Sequence, residues 1–199
     1  EEVGLLSADR TSQSNQKKVL FLSNGHGEDL IALSVIKELH RLSPTSLIEV
    51  LPLVGLGKAF DSLASNEWLV KIGPSKSLPS GGFSNQSFYG LISDIFSGLI
   101  TLTWSHWCFV RKAAANGSVI VAVGDLLPLF FAWSSGAPYS FIGTPKSDYT
   151  WTSGPRFALS DFYHRLKGSE WDPWEHLLMK SPRCQIVAVR DKLTARGLK

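Results

Sequence analysis

Residues 19–39 read VLFLSNGHGEDLIALSVIKEL, and this stretch decides the fold. Apolar residues run from Val19 to Leu22, and an amphipathic helical pattern takes over after Asp29. An apolar run, a glycine-bearing turn and a helix in that order make a βα unit of a parallel sheet. The turn, Asn24-Gly25-His26-Gly27-Glu28-Asp29, holds more chemistry than a plain connection requires.

The same alternation continues outward. Residues 18–23, 47–51, 68–72, 118–123, 139–142 and 185–189 read as strands, with helices near 29–42, 88–115 and 126–134. The strands are continuously apolar rather than alternating, which parallel strands covered on both faces require. The order predicts an α/β fold, a Rossmann-like doubly wound parallel sheet spanning residues 17–190. Residues 1–16 are polar, begin without Met and lack an apolar signal core, so they are expected to form a disordered leader or a trimmed tail. Residues 191–199 begin a helical pattern expected to lead into a further lobe.

Composition narrows the class. The 199 residues are 44% hydrophobic and 19% charged, as in globular chains, and 20 basic against 17 acidic residues leave a net charge of +3. The basic residues are scattered, without the clustered face that nucleic-acid binding needs. Cys108 and Cys184 lie in apolar runs with no metal-ligand spacing, and both are expected as reduced core residues.

Residues 88–110, FYGLISDIFSGLITLTWSHWCFV, are apolar enough to raise the question of a membrane span. Tyr89, Ser93, Ser97, Thr101 and Ser105 form a polar stripe at helical spacing, opposite Phe88, Leu91, Ile92, Ile95, Phe96, Leu99 and Leu102. An amphipathic helix docked on the sheet is expected, with peripheral bilayer contact through Trp104 and Trp107 as the second reading. A true span would set Asp94 and the hydroxyl stripe against lipid.

Chemistry gathers at strand ends. Gly25-His26-Gly27 stands where phosphate-binding turns stand, but Leu30 occupies the third glycine position of GxGxxG. Glu28 and Asp29 add negative charge where a pyrophosphate would sit, so no dinucleotide cofactor is expected there. His26 is then a base or ligand contact at the carboxyl edge of the sheet; helix capping by Asn24 or Asp29 is the competing role for the turn. Gly124-Asp125 ends the fourth strand at that same edge, where Asp125 is either an N-cap or the partner of His26 in acid–base work. Gly55 and Gly57 read as a turn. Residues 144–182 form a long connection rich in Tyr149, Trp151, Trp171 and Trp174, suited to sugar or lipid-headgroup contacts or to local packing.

Taken in order, SNGHGEDLIA, LPLVGLG, GPSKSLPSGGF, AVGDLLPLFFAWSSGAPYSFIGTPKSDY, DPWEHLLM and RDKLTARGL resemble the lipid-A-disaccharide-synthase-related family of cyanobacteria and plants. Leu56 departs from the family pattern, which carries an acid within that glycine turn. The resemblance implies the N-terminal, acceptor-side lobe of a two-lobed GT-B glycosyltransferase, in plastids or cyanobacterial cytoplasm. It implies a nucleotide-sugar donor held mainly by a C-terminal lobe and a lipid-linked or amphipathic acceptor, with no cofactor and no metal. Asp125 and His26 are the implied catalytic groups. Asn24, Gly25, Gly27, Gly124, Lys146, Ser147, Asp148 and Tyr149 are the implied substrate contacts. A nucleotide-sugar epimerase and a catalytically inactive membrane-peripheral scaffold are the alternatives on the same fold. Oligomeric state has no signal in the sequence.

Overall fold

The computed structural model describes residues 17–64, 66–73, 99–144 and 171–190. Its strands are β1 (Lys18–Ser23), β2 (Leu47–Pro52), β3 (Leu69–Lys71), β4 (Val119–Gly124), β5 (Tyr139–Gly143) and β6 (Cys184–Val189). Its α-helices are α1 (His26–Leu42), α2 (Leu99–Ala115), α3 (Leu126–Ser134) and α4 (Pro173–Met179), with a 3-10 turn at Lys58–Phe60. The six strands pair in parallel in the order β3-β2-β1-β4-β5-β6. The order reverses between β1 and β4, the switch point at which open α/β sheets place their ligands.

Both faces of the sheet are covered, which explains the unbroken apolar strands. Phe21, Ile48, Val50 and Val123 face α1, which buries Ala32 and Ile36 at helical spacing, together with Phe60 and Leu69. Leu20, Leu22, Ile120, Ala122 and Phe141 face the other way, under Val110 and Ala113 of α2, Leu129 and Ala132 of α3, and Leu178 and Met179 of α4. Each such leucine, isoleucine or phenylalanine contributes about 1.5–3 kcal/mol by leaving water. The Tyr139 hydroxyl donates to the carbonyl of Leu178, tying α4 to β5.

Several expectations change. α1 begins at His26, three residues earlier than the apolar pattern indicates. Gly25 (φ 141°) is the N-cap and the amide of Asp29 donates to its carbonyl at 2.8 Å, so neither Asn24 nor Asp29 caps the helix. Cys108 is exposed on α2 and Cys184 is half-buried; both are free thiols, and Cys108 is not a core residue. Trp104 is 64% exposed, whereas Trp107 is half-buried and donates from Nε1 to Ser134 Oγ at 3.1 Å. Trp107 is thus a packing residue between α2 and α3. The expected extension of α2 back to residue 88, and the stripe along it as far as Asp94 and Ser97, lie outside the described residues. No helix among the described residues is long and apolar enough to cross a membrane.

Trp171 resolves one open reading: it is completely buried, edge-on to Phe141 with ring centroids 5.7 Å apart. A Cβ on Gly143 would stand 2.6 Å from Trp171 Cη2, so the glycine exists to admit the ring. Trp174 stays exposed. The segments 1–16 and 191–199 lie outside the described residues.

Candidate functional site

The carboxyl ends of β1 and β4 lie side by side, with Ser23 registered against Val123. Asn24, one residue past Ser23, and Asp125, two residues past Val123, therefore meet across the switch point. Asn24 Nδ2 donates to Asp125 Oδ1 at 2.7 Å. The amide of Leu127 donates to that same oxygen at 3.1 Å, making Asp125 the N-cap of α3 as well as Asn24's partner. Capping and site geometry are two effects of one carboxylate. Both bonds fall on Oδ1, and Oδ2 takes none among the described residues. The half-buried carboxylate is thus anchored through one of its two oxygens.

Gly124 makes this approach sterically feasible. It has φ 135°, and a Cβ there would lie 3.2 Å from Asn24 Cβ, 3.3 Å from Glu28 Cγ and 3.3 Å from Pro128 Cγ. Three elements converge on the missing side chain. Asn24 Oδ1 is buried, and among the described residues no group donates to it.

Glu28 stands beside this cluster, in the first turn of α1. Thr144, just past β5, donates from Oγ1 to Glu28 Oε1 at 3.2 Å, and its amide donates to the Gly124 carbonyl at 3.2 Å. A cavity of about 490 Å³ opens between them, lined by Gly27, Glu28, Ile31, Gly143, Thr144 and Arg190 among others. That volume suits a monosaccharide-sized ligand. A carboxylate, a hydroxyl and a guanidinium on otherwise apolar walls form the usual lining for a polyhydroxylated molecule. The Glu28 carboxylate occupies the positive end of α1, so a diphosphate there would meet like charge.

Asp29, one residue on, is buried and accepts from Ser23 Oγ at 2.5 Å. Burial raises its pKa; the Ser23 hydrogen bond and the nearby His26 act in the opposite direction. The Ser23–Asp29 clasp closes the turn that carries Asn24, Gly25 and His26. His26 itself is exposed as the first residue of α1, and no hydrogen bond joins it to Asp125 among the described residues. Gly27 is open: a Cβ there would meet nothing within 4 Å.

Of the residues singled out from sequence, Asn24, Gly124 and Asp125 are in mutual contact, with Gly25 and His26 on the adjoining turn and Gly27 in the cavity wall. Lys146, Ser147, Asp148 and Tyr149 lie outside the described residues. Sequence reasoning missed Glu28 and Thr144 as site residues. Their pairing spans 116 positions, and no local pattern carries it. No group of three His, Cys, Asp or Glu side chains among the described residues is placed to hold a metal ion. No family model, curated protein or solved structure matches the chain.

Proposed function

We infer that the protein is glycosyltransferase-like, moving a sugar from a nucleotide-sugar donor to an acceptor hydroxyl in the crevice at the carboxyl ends of β1 and β4. The observation that carries this reading is the Asp125 carboxylate, anchored through Oδ1 by Asn24 and the Leu127 amide with Oδ2 unbonded among the described residues, and the sugar-sized cavity that Glu28 and Thr144 line nearby. A carboxylate held in this way accepts a proton in a fixed direction. The acceptor oxygen attacks the anomeric carbon as its proton passes to Asp125 Oδ2. The anomeric C–O bond to the nucleotide breaks, and the nucleoside diphosphate leaves with that electron pair. Glu28 and Thr144 hold sugar hydroxyls, and exposed His26 contacts substrate from the rim. The GT-B likeness drawn from the sequence motifs supports the same assignment and places the donor chiefly on a second lobe.

Acceptor-dependent release of nucleoside diphosphate by the full-length protein tests this reading. Release only when an alkyl glycoside or similar acceptor is present is the expected result. Turnover of the nucleotide-sugar with no acceptor requirement assigns an epimerase instead. Absence of turnover alongside vesicle binding assigns the scaffold reading, which the exposed Trp104 favours.

A further inference from the structure

The sheet ends at β3 and β6, and the two edges are built differently. β3 is three residues long and carries Lys71, whose ammonium pairs with Asp61 at 2.5 Å. A short strand bearing a lysine discourages further pairing. β6 runs for six residues, CQIVAV, with neither a charge nor a proline among them. Ile186 (62% exposed) and Val187 (37%) are neighbours along it, so they point to opposite faces, and both reach solvent. The one extra residue of β6 against β5, Gln185, lies near its start and leaves Ile186–Val189 in regular register. Beyond β6 no strand pairs among the described residues. A long, uncharged, apolar edge of this kind is a template for one more strand.

Charge marks the two ends of this edge. Arg183 precedes β6 and Arg190 follows it, seven positions apart. Neither arginine has an ion pair among the described residues, and Arg183 Nη1 is buried there without a hydrogen-bond partner. A fitting strand is therefore apolar in its middle with an acid at each end. A second β6 does not fit, because antiparallel self-pairing over this span sets Arg183 against Arg190 at both ends. The chain's own first residues do fit. EEVGLLSAD places Glu2 and Asp9 seven positions apart, with Val3, Leu5, Leu6 and Ala8 between them. In the antiparallel register that sets Glu2 across from Arg190, Val3 falls opposite Val189, Leu5 opposite Val187 and Leu6 opposite Ile186. Asp9 then reaches the level of Arg183. A slip of one residue would turn every one of these side chains to the other face.

Reach fixes the direction. The strands are parallel, so Arg183 lies at the same end of the sheet as Lys17, where β1 begins. Four strand spacings separate an added strand from β1, about 19 Å. The eight steps from Asp9 to Lys17 extend to about 26 Å, enough for that crossing but not for one that starts at the Arg190 end. An antiparallel strand at the edge of an otherwise parallel sheet is a common arrangement. We propose that residues 2–9, which lie outside the described residues, dock on β6 as an antiparallel edge strand held by Glu2–Arg190 and Asp9–Arg183 ion pairs. Arg190 also lines the Glu28–Thr144 cavity, so docking brings Glu2 to that cavity. The proposal does not rest on the transferase reading.

Disulfide trapping in the full-length protein tests the register. Cys108→Ser and Cys184→Ser remove the native thiols, and Ile186→Cys places one at an exposed position of β6. Leu6→Cys in this background should form a disulfide within the chain under mild oxidation, because directly opposed strand residues hold their Cβ atoms within bonding reach. Leu5→Cys, one residue out and on the other face, should not. Glu2→Lys should slow the Leu6→Cys crosslink about threefold, as loss of an exposed ion pair does, and Arg190→Glu added to it should restore the rate. Mass spectrometry of the non-reduced digest reads each outcome. Equal crosslinking from Leu5→Cys and Leu6→Cys overturns the proposal, since a chain that merely brushes β6 has no register. A crosslink rate unmoved by Glu2→Lys overturns it, as does the absence of any crosslink. A disulfide found only between two molecules would assign the edge to the first residues of a second copy and overturn it equally.

Discussion

At the residue scale, the site depends on how each polar side chain is held. Asn24 spends its amide N–H on Asp125, and a hydrogen bond to a charged group contributes about 1.5–3 kcal/mol. Asn24→Ala should therefore lower turnover about tenfold or more while the circular dichroism spectrum stays native; unchanged turnover would remove Asn24 as a positioning residue. Asp29 makes a different prediction. Burial raises its pKa in the folded state, so the folded protein holds this proton more tightly than the unfolded chain does. The stability gained by protonation is complete below the unfolded value, about 3.9, and is lost as pH rises through the folded value. Asp29→Asn keeps an acceptor for Ser23 without the buried charge. The variant should be the more stable protein at pH 7 by urea denaturation, and its advantage should shrink steadily toward pH 4. A gap that widens on acidification would contradict this. None of these roles was visible in the sequence, where Glu28 and Asp29 looked like one acidic pair starting a helix. They separate only because the first turn of α1 directs Glu28 toward Thr144 and Asp29 under the turn.

At the element scale, strand positions were legible because a parallel strand buried on both faces leaves an unbroken apolar run. The expected β1 has the observed bounds, and the other five strands differ from the observed ones by at most one residue at either end. α4 was not anticipated as a helix, although its signal was present: Asp172-Pro173-Trp174-Glu175 is a capping box with proline in the first turn. Glu175 Oε2 accepts from the Asp172 amide at 2.7 Å. What no local pattern could show is why α4 sits where it does. Trp171, just ahead of it, enters the core through the gap left by Gly143. Gly143→Ala should cost about 1–3 kcal/mol by overpacking against that ring. In a Trp171→Phe background the same change should cost much less, since the smaller ring withdraws the clashing atoms, and denaturant midpoints of the four proteins measure the coupling. Additive costs would show that Gly143 and Trp171 do not constrain each other.

At the scale of the whole molecule, the strand order places β1 and β4 in the centre of the sheet and β3 and β6 at its edges. Hydrogen exchange should be slowest in β1 and β4, at rates set by global unfolding, and should begin in β3 and β6. Slow exchange confined to β6 would contradict the arrangement. The centre of the sheet is also where the switch point opens, so the most stable strands carry Asn24 and Asp125. Catalytic groups mounted on rigid strand ends hold their geometry better than groups on loops. The sequence could place both residues at strand ends, but adjacency of β1 and β4 brings them together, and that follows from topology rather than from any motif. The most direct test of the central claim is sugar transfer by the full-length protein carrying Asp125→Asn, which keeps the side chain's shape and removes its capacity to take a proton at Oδ2. A fall in transfer of about 10²–10⁴-fold with native stability is the predicted result; transfer at the wild-type rate would contradict it.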